Sequence, residues 1–95
     1  MEAEPQAEAE APFAHVLRIA RMQAGMTQED LAARSGLSVR AISDLERGYT
    51  GRPYFRSVRL LADGLGASAS VRAALLGAAG RAHVARAYRR SAGAA

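Results

Sequence analysis

Ninety-five residues bound the chain to one domain with a modest core. It has no cysteine, no apolar run near the ~20 residues of a membrane span and no basic-then-apolar start, which excludes a disulfide framework, a spanning helix and a secretory leader and makes the cytoplasm the expected compartment. Charge is unevenly placed: residues 1–11 hold four glutamates and no cation, whereas the remainder sets thirteen arginines against five acids, a net of +8 that suits a polyanionic partner.

Residues 1–11 alternate Glu and Ala around Pro5 and read as a solvated acidic leader. A first helix is expected from Phe13 to Ala24, ended by Gly25, with Phe13, Val16, Leu17, Ala20 and Ala24 as its buried stripe. A second runs from Gln28 to Ser35. Thr27 is its N-cap, Asp30 at N3 makes an acidic variant of the capping box, and Met26 and Leu31 hold the two positions of a hydrophobic staple. After a turn at Gly36 the device repeats: Ser38 caps a third helix, Val39 to Arg47, with Leu37 and Ile42 as staple and Gly48 as the stop. Two short helices joined in this way are the grammar of a helix-turn-helix, whose second helix enters the DNA major groove. A loop from Gly48 to Tyr54 leads to a fourth helix, from near Arg56 to Leu65, with Val58, Leu61, Ala62 and Leu65 inward. Ser68 caps a fifth, where Val71, Leu75 and Ala78 face inward. Gly80 then punctuates, and residues 81–90 resume helical character, with Val84 and Tyr88 four apart among Arg81, Arg86, Arg89 and Arg90. No apolar segment alternates with period two, so no strand is expected. The expectation is an all-α, compact bundle of about five helices, with residues 81–90 able to form a sixth. Its divisions are an acidic leader (1–11), a DNA-binding domain (12–79) and a basic extension with its tail (80–95).

Gln28, Leu31, Ala32, Gly36, Leu37, Ser38, Ile42, Ser43, Leu45, Glu46 and Gly48 resemble the Xre family, the Cro and phage-repressor type of helix-turn-helix. Arg52-Pro53 and the run from Val58 to Gly66 extend the likeness, which covers roughly Phe13 to Ala79 and is most similar to DNA-binding modules of actinobacterial regulators. The resemblance implies a lambda-repressor-like fold and sequence-specific binding of double-stranded DNA, usually as a homodimer on a palindrome. It also implies that Gln28 contacts a backbone phosphate and braces the recognition helix. It pairs Arg21, late in the first helix, with Glu46, late in the third, as a structural tie.

The helical period places Arg40, Ser43, Asp44 and Arg47 on the outer side of the third helix, with Val39 on the flank nearest the groove floor. Arg40 can bridge guanine O6 and N7, Val39 can pack on a thymine methyl, and Ser43 can donate or accept. Asp44 either accepts from cytosine N4 or pairs with Arg40 one turn away, the second being favoured. Arg47, Arg52 and Arg56 flank the loop and can follow phosphates, and Tyr54 can add a hydroxyl contact. Thr27 and Ser38, at helix starts whose free amides favour an anion, join Gln28 in that set. Gly51, Tyr54 and Phe55 thin the loop's charge, and Phe55 is expected in the core. Ile19 and Met22, with His15, form an outward stripe on the first helix that is either ordinary exposed surface or a protein-contact patch.

His15 and His83 lack further ligands at metal spacing, so no metal is expected. No nucleophile motif, Walker loop or dinucleotide fingerprint appears, so neither catalysis nor a cofactor is expected. The leading reading is a nucleoid-associated transcriptional regulator, with Val84, Tyr88 and the Leu76 flank as candidate dimer contacts. The competing reading is a protein-interaction adaptor on the same fold, acting through Ile19 and Met22 or the C-terminal extension. A third is the DNA-binding head of a larger regulator.

Overall fold

The computed structural model describes residues 11–50 and 52–94, without the side chains of residues 86 and 89–94. The acidic leader up to residue 10 lies outside the described residues. These contain five helices and no strand: α1 Phe13–Gln23, α2 Gln28–Ser35, α3 Val39–Glu46, α4 Phe55–Leu65 and α5 Ala69–Ala94.

The helix starts are written locally. Thr27 Oγ1 accepts from the Asp30 amide at 3.0 Å, and the Asp30 carboxylate accepts from the Thr27 amide at 3.0 Å, a closed capping box. Ser38 Oγ accepts from the Ala41 amide, and Ser68 Oγ from the Val71 amide. Gly36 ends α2 at φ +84°, a left-handed turn that any Cβ would strain.

Phe13, Leu17, Leu31, Ile42, Val58, Leu61, Leu65, Leu75 and Ala79 meet in one core to which all five helices contribute. Met26 and Leu37, the outer halves of the two staples, pack against it. The junction of α2 with α4 is close enough to need a glycine. A Cβ on Gly64 would stand 3.0 Å from the Ser35 amide nitrogen and 3.2 Å from the Arg34 carbonyl carbon, both backbone atoms.

Three expectations are corrected. Ala24 is exposed and lies past the end of α1, because the chain turns away at Gly25 before another helical turn can complete the stripe. Phe55 is not in the core: it opens α4 with 39% of its surface exposed and stacks on His83. Finally, α5 continues through Gly80, so residues 81–94 prolong the fifth helix and do not form a separate sixth. A helical glycine costs only about 1 kcal/mol relative to alanine. Here alanines precede it, no proline follows, and both sides are held by packing: Ala78 and Ala79 are buried, and His83 is tied to the fourth helix.

Candidate nucleic-acid interface

The outward side of α3 begins with Val39, 37% exposed, and Arg40, whose side chain is 91% exposed. Ser43 and Asp44 follow, both half-buried. Arg40 Nε and Asp44 Oδ2 stand 4.0 Å apart across one turn. That is a loose ion pair, too long for a hydrogen bond, so the guanidinium fork is steered and not locked. Asp44 lines an open cleft between α3 and the following loop, together with Leu37, Ala41, Pro53, Tyr54 and Ser57.

The inward side of α3 ends in Glu46, whose side chain is 5% exposed. Arg21 of α1 reaches it with two donors, Nε to Oε2 at 2.6 Å and Nη2 to Oε1 at 3.0 Å. Gln28 Nε2 adds a third, to Oε1 at 3.1 Å. Arg21 Nη1 also donates to the Met26 carbonyl at 2.8 Å, so one guanidinium joins the α1–α2 turn to the recognition helix. The hydrogen bond to Glu46 raises the guanidinium's already high pKa despite its partial desolvation. The arginine is therefore charged throughout the physiological range. Gln28 stands at the first position of α2 with its amide engaged inward as a brace. Thr27 and Ser38 are exposed and use their hydroxyls as caps.

Beyond α3, Arg47 is exposed, with its guanidinium carbon 5.8 Å from the centre of the Tyr49 ring. This cation–π contact holds the side chain beside the end of the helix. Tyr49 is absent from the residues that the sequence alone singles out; an aromatic residue one step past the Gly48 stop and two past an arginine is the signal that points to it. Arg52, Tyr54 and Arg56 are exposed around the loop, with Pro53 buried between them. His83 Nε2 lies 2.8 Å from the Pro53 carbonyl oxygen. A carbonyl only accepts, so this nitrogen carries the proton. The same imidazole stacks on Phe55 at 4.6 Å between ring centroids and 14° between planes. The sequence offers no sign of this clamp, because His83 and Phe55 are 28 positions apart and belong to different helices.

The candidate surface thus draws on three parts: the caps at the starts of α2 and α3, the outer side of α3, and a basic loop leading into α4. Among the described residues no three His, Cys, Asp or Glu side chains converge as a metal site, and no helix is long and apolar enough to cross a membrane.

A short helix, a left-handed glycine turn and a second helix with its outer side free define a helix-turn-helix. Residues 12–75 match the family model of the helix-turn-helix domain, and the chain belongs to that family. Among solved structures it is similar to the wild-type restriction-modification controller protein C.Esp1396I, with 37% sequence identity and a TM-score of 0.58 over 63% of this chain and 77% of that one. No curated protein matches the chain significantly. Family and likeness together make it an Xre-like helix-turn-helix protein of the DNA-binding regulator class.

Proposed function

We propose that the protein is a sequence-specific regulator that reads the major groove of double-stranded DNA with α3. The observation that carries this reading is the division of α3 into two sides. Val39 and Arg40 are presented outward, with Ser43 half-buried on the same side, while Glu46 is gripped from behind by Arg21 and Gln28. A reading helix must be held in a fixed attitude for its side chains to meet base edges in register, and this three-residue tie supplies that rigidity. Arg40 is the guanine contact, Val39 the thymine-methyl contact, and Ser43 an adaptable polar one. Asp44 acts chiefly by steering Arg40 and can also accept from cytosine N4. Thr27, Gln28, Ser38, Arg47, Arg52, Tyr54 and Arg56 hold phosphates on either side. A homodimer would set two α3 copies ~34 Å apart on a palindrome.

Selection of bound sequences from random duplexes tests the reading. The expected result is an enriched two-fold-symmetric site; recovery of sequences with no shared element would sink it.

The adaptor reading rests on Ile19 and Met22, which are 38% and 56% exposed on the outer side of α1. A salt titration separates the two. Duplex binding must weaken steeply as salt rises, because it releases counterions, whereas a contact through apolar side chains must not.

A further inference from the structure

Arg52, Tyr54 and Arg56 are exposed, and they alternate along the chain with two residues that are held from within. Pro53 is buried, and Phe55 lies against a ring. The alternation follows from the backbone. Tyr54 is extended, at φ −69° and ψ 138°, and in an extended chain successive side chains take opposite sides. One side chain grips both inner members: His83 Nε2 donates to the Pro53 carbonyl at 2.8 Å, and the imidazole stacks on Phe55 with ring centroids 4.6 Å apart. Among the described residues no other side chain hydrogen-bonds residues 52–56. His83 comes to this place from the core-facing stripe of α5. Leu75 and Ala79 are buried four apart on that stripe, and His83 follows one turn later, half-buried at the rim. The grip therefore comes from a packed helix other than the two that the loop joins.

We infer that His83 is a positioning residue for phosphate binding, which holds residues 52–56 in the conformation that presents Arg52, Tyr54 and Arg56 before the duplex arrives. The inference rests on the DNA-binding reading and adds to it a residue that acts from outside the helix-turn-helix. A loose segment must be ordered on binding, and the freedom it loses is subtracted from affinity. A segment already ordered by contacts within the protein avoids that loss. His83 acts through its neighbours and not on the duplex, because its Nε2 is engaged by Pro53 and its ring is stacked on Phe55.

The experiment measures duplex affinity for four full-length proteins: the wild type, His83→Ala, Arg52→Ala/Arg56→Ala and the triple variant. The probe is a duplex recovered by the wild type from random sequence. Alanine preserves helix propensity at position 83, and circular dichroism melts establish that all four are folded at the assay temperature. His83→Ala should bind about tenfold more weakly, the scale of ordering a single backbone residue. Its slope of log affinity against log salt should stay at the wild-type value, since the same phosphates are neutralised once the complex forms. In the background that lacks both arginines, the same substitution should have little further effect, because the groups it positions are gone. In the free protein, the amides of Arg52 and Tyr54 should exchange hydrogen faster in His83→Ala than in the wild type. An equal fold-loss in both backgrounds would mean that His83 acts on the fold as a whole. A shallower slope would make His83 itself a phosphate contact, and unchanged affinity or unchanged exchange would show that the segment holds its own shape. Each of these would overturn the inference and leave the α3 reading intact. A wild type that binds no duplex would overturn both.

Discussion

Glu46 accepts three hydrogen bonds from two side chains while almost wholly out of solvent, so removing either member of its ion pair leaves an uncompensated charge behind α3. Glu46→Ala should lower stability by about 3–5 kcal/mol, the usual effect of breaking a buried ion pair. Arg21→Ala should behave alike, and the double variant should lose less than the sum of the singles. Denaturant melts of the four proteins check this; additive effects would mean that the two side chains are not coupled. Asp30 makes a prediction of another kind. Its carboxyl pKa is lowered, first by the hydrogen bond from the Thr27 amide and then by that from the Thr27 hydroxyl. A carboxyl whose folded pKa lies below its unfolded value stabilises the fold above the unfolded value, about 3.9. That contribution is lost as pH falls through the folded pKa. Asp30→Asn keeps an acceptor for the Thr27 amide but cannot ionise. The melting-temperature gap between wild type and variant should therefore be open at pH 7 and close in acid. A gap that does not change with pH would contradict the assignment.

Each helix of the helix-turn-helix pair carries its own start signal, but the placement of the bundle around it depends on close backbone contact at one point. Gly64 lets α4 approach the end of α2, and a methyl group there would meet the backbone of Arg34 and Ser35, which has no rotamer with which to move aside. Gly64→Ala should destabilise the protein by about 1–3 kcal/mol, the range for an overpacked core. It should do so even though alanine is by itself the better helix former. Chemical denaturation reads this directly, and a stability equal to or above wild type would show that α2 and α4 can separate at no cost. At the other end of α4, Phe55 lies outside the core and stacks on His83. The loop carrying Arg52 and Tyr54 is thereby fastened to α5 rather than left as a free connection.

On the scale of the whole molecule, the residues assigned to bases and those assigned to phosphates should separate in binding experiments. Arg40→Ala should weaken binding to the selected duplex by about 1–3 kcal/mol and relax the preference at one guanine per half-site. An equal weakening on every sequence would make Arg40 a phosphate contact. Arg52→Ala and Arg56→Ala should each lower affinity almost uniformly across sequences and reduce the salt slope by about one. Unchanged slopes in both would remove the loop from the interface. The 26-residue α5 is about 39 Å long at the α-helical rise.

What the sequence determined by itself was everything carried by short-range chemistry. The cap of α2 and that of α3, the two staples and the turn at Gly36 each involve residues no more than five positions apart, so their geometry follows from the local chain alone. The span of α2 and the apolar stripes of α1 and α4 were legible for the same reason, apart from Ala24. The Arg21–Glu46 pairing spans 25 positions and was suggested only by resemblance to a family, not by any local pattern. Only the tertiary structure decided the rest. Whether Gly80 stops a helix depends on what holds its two sides, and packing of Ala78, Ala79 and His83 outweighs the small penalty of one glycine. Whether Phe55 is core depends on which surface packs against it, and that surface is the imidazole of a residue 28 positions away. The need for glycine at position 64 appears only once two helices touch. Long-range contacts of this kind are set by the three-dimensional path of the chain, which no window of the sequence contains.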